Sequence, residues 1–99
     1  MHQGGLTLVV KRHGHGNSAA SEYYSVDKMQ KSITAACLSC GVPAGHADSI
    51  GRHITNEVTD WLKDKPEVTS EDLRRTATHH LRTHHPDAAY IYEHHRSTL

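Results

Sequence analysis

The chain contains no phenylalanine, a single tryptophan, two methionines and only two cysteines among its 99 residues. Leu, Ile, Val and Phe together make up 17 positions. An apolar fraction that low is typical of disorder only when net charge is large, and here eleven Lys/Arg balance eleven Asp/Glu. The expected class is therefore one small folded domain whose core is thin, since a chain this short buries roughly 60–65% of its unfolded surface. The missing basic excess argues against broad electrostatic capture of nucleic acid or an anionic membrane. The missing long apolar run excludes a spanning helix and a signal-peptide core. Two cysteines three positions apart, Cys37 and Cys40, cannot build a disulfide framework, so a reducing cytoplasm is the expected setting.

Histidine is abundant instead, with eleven residues in the only class whose ordinary titration lies just below neutrality. Six of them form the doublets His79-His80, His84-His85 and His94-His95. His80 and His84 stand four apart, the spacing of two ligands on one helical face. No third ligand is fixed by sequence and no Glu follows His80 in the metalloprotease pattern, so a solvated polar face is expected and no metal ligand set is assigned.

Along the chain, Leu6, Leu8 and Val10 alternate with Thr7, Val9 and Lys11, which predicts a strand burying the Leu6/Leu8/Val10 side. Residues 13–21 are turn material rich in Gly, Asn and Ser, and Glu22-Tyr23-Tyr24 suits a return strand. Ser25 is placed to cap a first helix whose stripe is Val26, Met29, Ile33, Ala36, Cys37 and Cys40, closed by Gly41. A second helix is expected from about His46 to Lys63, carrying Ala47, Ile50, Ile54, Val58, Trp61 and Leu62 and stopped by Pro66. Ser70, followed by Glu71 and Asp72, reads as the cap of a third helix with Leu73, Ala77 and Leu81 inward. A last helix is expected from Asp87 with Ala88, Ile91, Tyr92 and His95 on one side. The fold class is α+β, an N-terminal β-hairpin packed on a four-helix bundle, with residues 1–5 flexible and residues 6–97 a single domain.

Catalytic motifs are not evident. Ser70 and Thr69 have no Asp–His pair beside them, and the Gly14/Gly16 pair leads toward a strand rather than into a helix as a phosphate loop would. Cys37 and Cys40 lie at a helix C-terminus, the wrong end of the dipole for a reactive thiol, and read as small buried hydrophobes. More specific is the meeting of Lys11 and Arg12 at the hairpin with Lys28 near the start of the first helix. Free N–H groups and partial positive charge at that helix end, joined by three cations, suit a triphosphate.

Those segments resemble the ATP-cone, the small allosteric nucleotide-binding module of ribonucleotide reductases, which also accompanies a zinc ribbon in the repressor of reductase genes. The likeness rests on Val9-Val10-Lys11-Arg12-His13-Gly14, then Tyr24, then Val26-Asp27-Lys28-Met29, with Ile33 and Ala36-Cys37 following in the first helix. Val68-Thr69-Ser70-Glu71-Asp72-Leu73 resembles the opening of the family's third helix, and Ala89-Tyr90 its ending. His13, Tyr24 and Ser25 depart from the family's usual Asp, Phe and Asp or Asn, and the loop from Gly14 to Ser21 is long. The resemblance implies ATP or dATP, usually with Mg²⁺, held between hairpin and helices by a non-enzymatic regulatory domain. It implies phosphate contacts from Lys11, Arg12 and Lys28, and a nucleoside near Glu22 and Ser25. Val9 and Met29 would be apolar walls, with Ser70 and Arg74 approaching from the third helix. No reductase barrel, kinase domain or zinc ribbon is recognisable in the sequence, so the expected regulated partner is a ribonucleotide reductase or another separate protein, or a second copy of the chain. The competing expectation is a degenerate cone used as a helical protein-interaction module or a His-rich metal binder.

Overall fold

The computed structural model describes residues 7–11 and 20–94. The expected flexible N-terminus, Arg12, His13 and His95 lie outside the described residues. Two short strands, β1 (Leu8–Lys11) and β2 (Ala20–Tyr23), are followed by helices α1 (Val26–Ser39) and α2 (Ala44–Trp61). A three-residue strand, β3 (Glu67–Thr69), then leads directly into α3 (Ser70–His84), and α4 (Pro86–His94) ends the described chain. The fold is α+β, with a small three-stranded sheet ordered β2-β1-β3 and four helices. α1 packs on α2 and α4, α2 on α3, and α3 on α4, so the helices form a closed circuit.

The strand expectation needs a correction in facing. β1 pairs antiparallel with β2, Leu8 opposite Tyr23 and Val9 opposite Glu22. Thr7 and Val9 are the buried residues, whereas Leu8 and Val10 are half-buried on the outer face. The hydrophobic alternation is overruled by one polar anchor. Thr7 donates its Oγ1 hydrogen to the Lys65 carbonyl at 2.7 Å, in the turn after α2, and the Thr7 carbonyl accepts from the Tyr24 N–H at 2.8 Å. Because side chains alternate along a strand, anchoring Thr7 inward turns Val9 inward with it.

β3 was not expected. It pairs in parallel with β1, setting Val68 beside Val9, and Val68 is buried. Three residues carry no readable periodicity, and the pairing partner lies nearly sixty positions earlier, so the segment reads as a helix lead-in. The cap of α3 moves accordingly: Thr69 Oγ1 accepts from the Asp72 N–H at 3.0 Å, and Ser70 is already helical. Helix α2 starts two residues before the expected His46 and ends at Trp61 rather than Lys63. Helix α4 starts at Pro86, whose fixed φ and missing N–H suit a first helical position, while His85 Nδ1 accepts from the Ala88 N–H at 3.2 Å.

The first helix follows its sequence signals more closely. Ser25 Oγ accepts from the Lys28 N–H at 3.1 Å, and Gly41 takes φ +88° just beyond the end, a conformation that glycine adopts without strain. Val26 proves exposed and Ser32 takes a buried place, its Oγ donating to the Met29 carbonyl. Cys37 is fully buried and Cys40 half-buried. Burial, with Cys40 as a smaller contributor, pushes the Cys37 thiol up to about 11, which suits a packing role and not a reactive one.

Gly51 sets the α1–α2 approach. A Cβ there would collide with Thr34 Oγ1 and come within 3.1 Å of the Gln30 carbonyl oxygen on α1. A branched side chain must therefore separate the helices, and overpacking of this kind costs about 1–3 kcal/mol. Gly51→Val is expected to lower unfolding free energy by about 2 kcal/mol; a urea midpoint equal to that of the parent would show that the contact yields freely.

Candidate functional site

A small, partly open recess lies where the sheet meets the start of α1. Val9, Met29 and Leu73 give it an apolar side. Val9 reaches it through the inward facing of β1, Met29 from the first turn of α1, and Leu73 from the first turn of α3. The chain from Glu22 to Ser25, together with Lys28, forms the polar side. Local folding holds this segment firmly: Tyr24 is buried with its hydroxyl 2.9 Å from Thr59 Oγ1 on α2, and burial raises its phenol above the ordinary range. The next residue, Ser25, caps α1, so the helix N-terminus opens at the recess, where its first N–H groups favour an anion.

Charge is concentrated on one carboxylate. Lys11 Nζ lies 3.1 Å from Glu22 Oε2 and Lys28 Nζ lies 3.2 Å from Glu22 Oε1. Two cations from separate elements thus share a single counter-ion and leave one excess positive charge. Asp27, also in the first turn, is paired with Lys31 at 3.1 Å. The floor of the recess reaches the far helix: the Tyr92 hydroxyl donates to Met29 Sδ at 3.7 Å, and burial holds the Tyr92 phenol far above its usual range.

Of the residues assigned from the sequence, Val9, Glu22, Ser25, Lys28 and Met29 line the recess together, and Lys11 joins them through Glu22. Arg12 lies outside the described residues. Ser70 and Arg74 are not among the lining residues. Arg74 faces a different, open groove along α3 with Arg75, Arg82 and Glu93. The sequence reasoning missed Tyr23 and Leu73 as lining residues and Thr59 as the anchor of Tyr24. Leu73 was visible as a stripe position, but only the β3–α3 junction turns it toward the sheet.

On the opposite course of the chain, α2 and α3 bring four further groups together. His53 Nε2 lies 3.5 Å from Glu57 Oε2, His80 Nδ1 lies 3.2 Å from Glu57 Oε1, and the His53 and His84 rings meet edge to face at 4.7 Å. The sequence showed the His80/His84 pair; the residues of α2 that face it could be found only from the helix packing. Among the described residues no helix is long and apolar enough to cross a membrane. No family model matches the chain, and neither a curated protein nor a solved structure matches it.

The doubly paired carboxylate gives a pH signature. Hydrogen bonds from Lys11 first, and then Lys28, hold Glu22 below its ordinary value of 4.5. A carboxyl lowered in the folded state stabilises above its unfolded value, and that contribution is lost as pH falls through the folded one. The group is largely exposed, so solvent screening limits the effect to at most about 1 kcal/mol. Glu22→Gln is expected to lower stability by this small amount at pH 7, with the difference shrinking as the solution is acidified below pH 4.5. A difference that persists unchanged in acid or in high salt would assign the loss to packing rather than charge.

Proposed function

We propose that the chain is a non-enzymatic regulatory domain of the ATP-cone type, a hairpin closing on four helices, which binds ATP or dATP. Binding is coupled to association with a second copy or with a regulated protein such as a ribonucleotide reductase. The reading is supported above all by one observation: Val9, Glu22, Ser25, Lys28 and Met29, named from the resemblance, line the same recess. Lys11 and Lys28 approach one carboxylate there from β1 and α1, the kind of two-sided cationic clamp that phosphate groups require. Val9, Met29 and Leu73 supply apolar surface for a base, and the α1 N-terminus favours negative charge beside them.

In this reading the base enters the apolar side and the phosphates extend toward Lys11 and Lys28, with Arg12 as the third phosphate contact. Mg²⁺, when present, arrives with the phosphates and reduces their charge. Glu22 gives up part of its pairing with the lysines and turns to the sugar, and Ser25 stays on the helix cap. Ser70 and Arg74 of α3 would complete the contacts after closure. No base, nucleophile or positioned water is required, because the output is a change in association. A ligand produces such an output only through different affinities for the two states. The two free thiols suit a reducing cytoplasm.

Calorimetry with ATP, dATP and AMP tests the reading. The triphosphates are expected to bind at least tenfold more tightly than AMP, because the outer phosphates meet the lysines. Lys11→Ala and Lys28→Ala should each weaken ATP binding by about 1.5–3 kcal/mol, roughly ten- to a hundredfold. Lys63→Ala, at an exposed lysine paired within its own turn with Asp60, should leave affinity unchanged. Equal binding of AMP and ATP, or no binding at millimolar ATP, would overturn the proposal.

A further inference from the structure

The four groups between α2 and α3 have a chemistry that the nucleotide reading does not use. His53 and Glu57 are four apart on α2, and His80 and His84 are four apart on α3, so each helix offers two polar side chains on one face. The two helices pack together, and the pairs meet. One nitrogen each from His53 and His84 and one oxygen from Glu57 all lie within 4.8 Å of one another. Three potential ligand atoms from two helices thus converge on one place. Glu57 Oε1 is shielded from solvent and makes no hydrogen bond, although His80 Nδ1 lies 3.2 Å away.

We propose that His53, Glu57 and His84 form a binding site for a divalent transition-metal ion of the zinc class, with His80 orienting the Glu57 carboxylate. Two imidazoles and one carboxylate without thiolate match zinc, nickel, cobalt or copper and exclude magnesium and calcium as preferred occupants. Ligand bonds of 2.0–2.2 Å place tetrahedral donors roughly 3.4 Å apart. The His53–Glu57 separation of 3.5 Å already meets this, and the remaining distances close by rotation of the exposed His53 and His84 side chains. Three protein ligands leave a fourth position for water. His80 contacts the carboxylate rather than the shared centre, the arrangement by which an outer group fixes a ligand's orientation. The bound ion ties the middle of α2 to the C-terminal end of α3.

Zinc titration of the untagged full chain, followed by calorimetry and thermal melting, tests the site. One equivalent of Zn²⁺ should bind and raise the melting temperature by several degrees, reversibly with a chelator. Co²⁺ should develop the intense visible bands of a four-coordinate N/O site. His53→Gln, Glu57→Gln and His84→Gln should each lose at least tenfold in affinity, and His80→Gln roughly tenfold through the freed carboxylate. His79→Gln and His46→Gln should bind as the parent does. These side chains are exposed or half-exposed, and the circular dichroism of each metal-free variant confirms folding. Several weak equivalents shared among the histidine doublets, equal losses in His79→Gln, or indifference to Glu57→Gln would overturn the proposal; the cobalt spectrum of the parent decides independently of any variant.

Discussion

The hydrogen bond from Thr7 to the Lys65 carbonyl determines what the sheet can do. Alternation along β1 follows from it: Val9 is directed to the apolar side of the recess, and Lys11 lies within reach of Glu22. Were the strand turned over, Leu8 and Val10 would fill the interior and the lysine would point away from α1. A buried hydroxyl therefore gains more than its own bond, because the strand's period of two propagates its orientation to every neighbour. The same turn after α2 is reinforced by Lys65, whose ammonium lies over the Trp61 ring at 4.7 Å and donates to the Trp61 carbonyl. The anchor is thus itself held by the end of a helix.

From this anchor the molecule is built around short connections. Tyr24 runs from the sheet into the protein and reaches Thr59 of α2, Ser25 caps α1 immediately afterwards, and Met29 reaches Tyr92 of α4. Five consecutive positions, 22 to 26, therefore contain a charged edge, a strand end, a core residue, a helix cap and a helix start. Polar and apolar roles are separated by single residues, which allows a chain with so little large apolar content to form both a core and a recess.

Much of this was legible in the sequence because it is encoded locally. Ser25, Gly41 and the stripe through Met29, Ile33 and Cys37 signal α1 without reference to anything distant, and Tyr24 is recognisable as the residue before a cap. The α+β class and the four helices follow from such signals. What could not be read depends on partners remote in sequence. The inward face of β1 is chosen by a carbonyl at Lys65, β3 exists because β1 lies beside it, and Thr69 becomes a cap only once it also ends a strand. Within the candidate site, the sequence places Lys11 and Lys28 together, whereas their shared pairing with Glu22 emerges only from the fold. Leu73 came into view only with the topology, as did the pairing of His53 and Glu57 with the histidines of α3.

β3 ends at Thr69 and α3 begins at Ser70, so the sheet and the helix are joined without a linker. Most strand-to-helix connections contain several residues whose dihedrals can absorb movement; here only the cap itself can give way. Any sliding of β1 against its neighbours is delivered to α3 as motion of a stiff rod about 22 Å long, with Leu73 near one end and His84 at the other. The hydrogen bond between Thr69 and Asp72 fastens the start of that rod to the end of the strand.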